Sequence, residues 1–179
     1  MLFAGVRRFW RFFALGVVVL MVILEDDHEI LVGHLDKILA EANAGYVFLV
    51  DKSGQQIAAT GKMDVDSTSL ASLTAGVVAA TEGLSSLIGE TQFSTLFHEG
   101  AEHNLHISQV GEKAILLIIF NEKSSLGLVR LRTQQYLPAL KEAVAEVVNR
   151  SQSDIRAATT LSSSAFAEIS DEDIDALFG

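Results

Sequence analysis

The sequence predicts an α/β fold, a three-layer α/β/α sandwich around a five-stranded, mostly antiparallel sheet. Three observations carry that expectation. Apolar periodicities alternate along the chain in the order helix, two strands, helix, three strands, helix. Ile115 to Phe120 is apolar at every position, which places that strand at the centre of a sheet covered on both faces. The 179 residues include one Pro, no Cys and 49% hydrophobic side chains, enough for one real core and incompatible with a disulfide or a thiolate metal site.

The elements follow in order. Leu31, Leu35, Ile38 and Leu39 recur at helical spacing, and that helix is expected to end near Asn43. Gly45 opens a strand, YVFLVD, followed by a turn at Lys52-Ser53-Gly54 and a second strand, QQIAAT. Asp66 or Ser67 caps a long helix that reaches Gly89. Three strands follow, FSTLFHE, NLHISQV and KAILLIIF, the last two joined by a two-residue turn at Gly111-Glu112. Ser124 or Ser125 caps the final helix, which carries Leu126, Val129, Leu137, Leu140, Val144 and Val147 inward, and Pro138 is expected to kink or split it.

The helix from Asp66 to Gly89 is the most informative segment. At 100° per residue, Leu70, Leu73, Val77, Leu84, Leu87 and Ile88 share one stripe, read as the core face. The opposite stripe carries Ser72, Ala75, Gly76, Ala79, Glu82, Gly83 and Ser86, with a single charge and no basic residue, unlike an ordinary solvated helix face. Gly76 and Gly83 each cost about 1 kcal/mol against Ala inside a helix, a penalty tolerated where a second backbone comes close. The stripe of Ser72, Ala75, Gly76, Ala79 and Gly83 is therefore read as a partner-binding face rather than one side of a helix enclosed in its own monomer, where larger side chains would fill volume better.

Flanking segments differ from this body. Residues 1–24 join Arg7, Arg8 and Arg11 to the apolar run Phe12 to Leu24, which is shorter than a typical membrane span. Read as a span, it would export everything after it; read as a start-site artefact, translation begins at Met21. Residues 25–150 form the domain. Residues 151–165 are small and polar and are expected to be a flexible linker. In residues 166–179, Phe166, Ile169, Ile174, Leu177 and Phe178 interleave with acids, the pattern of a docking tail that becomes helical on a partner. The formal charge of −10 opposes binding to nucleic acid or an anionic membrane surface.

Catalytic constellations are weak. His98-Glu99-Gly100-Ala101-Glu102-His103 spaces its imidazoles one position wrong for HExxH and contains a glycine, so both histidines are read as surface residues. His106 is read as a surface side chain on its strand. Arg130 and Arg132 are read as packing or ion-pairing residues of the last helix rather than as an arginine finger. No phosphate-binding loop, dinucleotide fingerprint or nucleophile elbow is present, so no catalytic residue, metal or cofactor is expected.

Taken together, VFLVDKSGQQIA, TSLASLTAGVVAATEGLSSLIGE, FHEG, SSLGLVRLR and FAEISDEDIDALF resemble, in order and spacing, the bacterial gliding-motility members of the roadblock/dynein light-chain superfamily, from about Met21 to the end. The resemblance implies a roadblock-type homodimer in the cytoplasm. It implies binding of a Ras-like small GTPase of the mutual gliding protein A type, and stimulation of GTP hydrolysis by remodelling the GTPase's switch region without an inserted arginine. The process implied is cell polarity and motility. Ala79 and Gly83 would lie at the centre of the dimer and docking face. The apolar N-terminus and Pro138 depart from the family pattern. Two other readings stay open: a membrane-anchored or exported sensor-like domain, and a roadblock adaptor that binds a GTPase without activating it.

Overall fold

A computed structural model describes the backbone of residues 25–167 and side chains through Ser153. Helix α1 spans Glu25–Glu41, with Leu31, Leu35 and Ile38 completely buried one or two turns apart. It ends two residues before the expected point, because Asn43 adopts a left-handed conformation (φ 50°) and the Ala44 amide closes back on the Leu39 carbonyl. Strands β1 (Tyr46–Asp51) and β2 (Gln56–Gly61) form a hairpin. The Asp51 carboxylate shapes its turn by accepting from the amides of Ser53 (2.9 Å) and Gln55 (2.8 Å). Helix α2 runs Ser67–Ile88. Asp66 caps its start, and hydrogen bonds from Ser69 and the Thr68 amide hold that carboxyl below the usual range. Gly89 ends it in the left-handed region (φ 77°).

Strands β3 (Thr95–His98), β4 (Asn104–Val110) and β5 (Ala114–Phe120) complete the five-stranded sheet, in the order β2-β1-β5-β4-β3 with every pairing antiparallel. Strand β5 lies at the centre and is buried along its whole length, as its unbroken apolar run predicts. The β4–β5 connection uses three residues, Gly111 to Lys113, one more than the spacing suggested, with Gly111 taking the positive φ. Side-chain alternation divides the core. Val47, Leu49, Leu116 and Ile118 pack beneath α1 and the last helix, whereas Phe48, Val50, Ile115 and Leu117 face α2. The predicted three layers are all present.

Helix α3 spans Leu126–Ala167. The Ser125 hydroxyl caps it by accepting from the Leu128 amide at 3.2 Å. Two sequence expectations about α3 are corrected. Pro138 does not split it: the residue sits inside a continuous helix at an exposed position, where water can satisfy the carbonyl its missing N–H leaves free. Residues 151–165, expected as a linker, continue the helix; the stretch contains neither Gly nor Pro, so nothing in it terminates α3. Where α3 crosses α1, Arg150 pairs at 2.8 Å with Asp27, whose side chain is almost wholly buried. At the other end of α1, Arg132 reaches Glu41 at 3.1 Å and the Tyr136 hydroxyl donates to the same carboxylate. Arg132 thus acts as the ion-pairing residue the sequence indicated.

His106 corrects another expectation. It is buried beneath α3, on the same face of β4 as Ser108, whose hydroxyl lies 3.1 Å from its Nε2. Burial, reinforced by the nearby Arg130 cation, lowers its pKa to about 4. Strand alternation did point it away from Leu105 and Ile107, but both faces of this sheet are covered, so that direction leads into core rather than solvent.

Candidate functional site

Helix α2 turns a face toward the sheet that the sequence did not single out. Ala71, Thr74, Val78 and Ser85 are buried there, flanked by half-buried Leu70, Ala75 and Val77, against Phe48, Ile107, Ile115 and Leu117. Three of these four buried side chains are small, and the Thr74 hydroxyl is satisfied by the Leu70 carbonyl at 2.7 Å. The leucine stripe read as the core face is corrected accordingly. Leu73, Leu84, Leu87 and Ile88 are 58–83% exposed, and only Leu70 and Val77 at its edge reach the sheet. By length and composition α2 is apolar enough to cross a membrane; its packing on the sheet accounts for one face, and the exposed leucines raise its hydropathy on another.

The predicted partner-binding residues divide as follows. Ser72, Gly76, Ala79 and Gly83 lie on the outside of α2, next to the exposed leucines, while Ala75 turns partly inward. A Cβ built on Gly76 or Gly83 would meet nothing within 4 Å among the described residues, so none of these requires either glycine. Ser72 borders the β1–β2 turn: a Cβ on Gly54, which has φ +87°, would lie 3.0 Å from the Ser72 Cα. That turn therefore packs backbone to backbone on α2 and defines one end of the face. Replacing Gly83 by Ala is expected to raise stability by about 0.5–1 kcal/mol, the helix-propensity difference with no steric cost against it. A lowered melting temperature in calorimetry would mean that this face is covered within the folded chain.

Glu82, the one charged residue of the small stripe, is fixed from the sheet side. Its Oε1 accepts from Lys52 Nζ at 2.7 Å and from Gln109 Nε2 at 3.1 Å, and the Lys52 hydrogen bond lowers its pKa. With Ser86, Gln92 and Glu112 these groups line a polar groove of about 410 Å³ between the end of α2 and the β4–β5 turn. Lys52 and Gln109 were not legible as site residues, because nothing in the sequence places them against Glu82. Glu82 itself was visible as the only charge in its stripe.

Among the described residues no group of three or more His, Asp or Glu side chains could hold a metal ion. His98 and His103 are exposed and share no helix face. Of the docking-tail residues, Phe166 lies in the last turn of α3 and Ile169, Ile174, Leu177 and Phe178 fall outside the described residues, as do residues 1–24 with the alternative start at Met21.

Comparison with known proteins places this geometry. A family model for the Roadblock/LC7 domain matches residues 20–120. The structure is similar to that of MglB from Myxococcus xanthus, at 44% identity and a TM-score of 0.66, over 71% of this chain and 96% of that one. It is similar to the gliding protein MglB of Thermus thermophilus, at 30% identity and a TM-score of 0.62, over 73% and 96% of the two chains. A further MglB, described with a tetrameric arrangement, matches at 30% identity and a TM-score of 0.66 over 71% and 96%. No curated protein matches. A domain model covering more than half of the chain, and MglB structures matched over nearly their full length, give one answer: this chain belongs to the Roadblock/LC7 family, among its MglB-type members.

Proposed function

We propose that this protein is a cytoplasmic, homodimeric regulator of a Ras-like small GTPase of the mutual gliding protein A type, acting in cell polarity and gliding motility. It is not itself catalytic; it stimulates GTP hydrolysis by remodelling the GTPase. The observation that carries this reading is the outer surface of α2, where exposed Leu73, Leu84 and Leu87 lie beside Gly76, Ala79 and Gly83 with open space above both glycines. An apolar surface of that kind marks an interface, and glycines without a neighbour among the described residues allow a partner's backbone to approach. The likeness to gliding proteins supports the cellular process.

Activation without an arginine finger is supported by where the cations sit. Helix α2 contains no Lys or Arg. Arg130 and Arg132 belong to α3, which packs on the other face of the sheet, and Arg132 is engaged with Glu41. Lys52, beside the α2 face, is tied to Glu82. A single-turnover GTP hydrolysis assay with a GTP-loaded Ras-like partner tests the reading. Acceleration that persists in an Arg130→Ala, Arg132→Ala variant is expected. Binding with an unchanged hydrolysis rate would leave the adaptor alternative, and recovery of the native protein in membranes would favour the sensor-like one.

A further inference from the structure

We propose that the groove between α3 and the β4–β5 turn is a docking site for the C-terminal segment, residues 166–179, of a second copy of this chain. The groove, of about 220 Å³, lies on the opposite side of the sheet from the α2 face. Val110 and Val144 form its buried floor and half-buried Val148 its side, an apolar strip one turn of helix long. Exposed Lys113 stands on the turn and exposed Lys141 on α3, so a cation rises on each wall; Glu112 is the single acid among the lining residues.

The C-terminal segment has the complementary pattern. Wound as a helix, Ile174, Leu177 and Phe178 share one face at the i, i+3, i+4 spacing of helix-in-groove recognition. Asp171 and Asp175 then flank that face on one side and Asp173 on the other, so acids border the apolar strip on both sides as the lysines border the groove. Chain length selects a second copy as donor. From Val148, α3 continues to Ala167, which at ~1.5 Å per residue carries the chain about 28 Å past the groove. Wound as a helix, residues 168–179 extend only about 18 Å, short of that distance.

The absence of cysteine makes the test direct, because each introduced thiol reports one contact. Full-length Ala145→Cys protein, its thiol on the exposed rim of the groove, is mixed with full-length Leu177→Cys protein and oxidised, and mixed disulfides are identified by peptide mapping. The expected result is several-fold more mixed adduct than when Leu177→Cys is paired with Glu29→Cys on the exposed side of α1. Adding Lys113→Glu and Lys141→Glu to the Ala145→Cys copy is expected to reduce the adduct roughly fivefold or more, since acids then face acids. A synthetic peptide of residues 166–179 is expected to compete it away. Adduct no greater than the control, or unaffected by charge reversal and by the peptide, overturns the proposal. So does a link confined to one chain when both cysteines are placed in the same molecule.

Discussion

On the proposed function, replacing Ala79 and Gly83 together by Arg is expected to abolish stimulation of GTP hydrolysis, returning the partner to its unassisted rate, while leaving the protein folded. Both positions are exposed on α2, and among the described residues a Cβ at Gly83 has no neighbour within 4 Å, so these residues leave room for the new side chains. Helix propensity opposes unfolding as well: Gly→Arg recovers most of about 1 kcal/mol and Ala→Arg costs only a few tenths. In the proposed complex the same side chains would each collide with the docked backbone or strand a charge in a dry interface. Circular dichroism and a single-turnover hydrolysis assay read the two halves of the outcome. A folded variant that stimulates normally would move the docking site off α2. Loss of the dimer together with loss of stimulation would show that one stripe serves both contacts, as the continuity of the exposed leucines with the glycines suggests.

The second large effect is expected in acid. His106 is buried and its pKa is lowered to about 4, against about 6.5 for an unhindered imidazole. Between those values the unfolded chain binds a proton that the folded chain excludes. The stability supplied by neutral His106 is therefore complete above about pH 6.5 and drains away as the pH falls toward 4. A separation of this size corresponds to about 3 kcal/mol at its limit. Carboxylates titrate in part of the same window, so the informative quantity is a difference. Urea unfolding of the native protein and of His106→Gln, compared at pH 7 and pH 4.5, is expected to show the variant losing less stability by about 2–3 kcal/mol. Parallel losses would show that His106 is protonated in the fold and that the space beneath α3 admits water.

How much of this was legible beforehand follows from the range of each interaction. Elements whose signals lie in adjacent residues were readable. The Asp66 cap, the Gly89 stop and the central position of Ile115–Phe120 depend on local hydrogen bonding and on composition. The order of elements and the three-layer architecture followed from the alternation of periods, and the glycine stripe was visible because a solvated helix face lacking Lys and Arg is anomalous on its own. Among the described residues nothing lies within 4 Å of a Cβ built on Gly76 or Gly83, so the stripe read as a partner-binding face is not covered by them.

What the tertiary structure decided is which way each element faces. Periodicity on α2 defines stripes but not their partners, and the larger leucine stripe looked like the core face. The sheet instead takes Ala71, Thr74, Val78 and Ser85, because burial follows the fit between two surfaces rather than the greatest hydrophobicity of one. The leucines thereby become exposed surface. His106 and the Lys52–Glu82–Gln109 contact were hidden for the same reason: burial and ion pairing between residues far apart in sequence depend on the final stacking of layers. The sequence by itself determined the layers, the caps and the presence of an unusual helix. Only the packed structure decided which face of that helix reaches the sheet and which remains open, since packing is a property of two surfaces and the chain displays them one at a time.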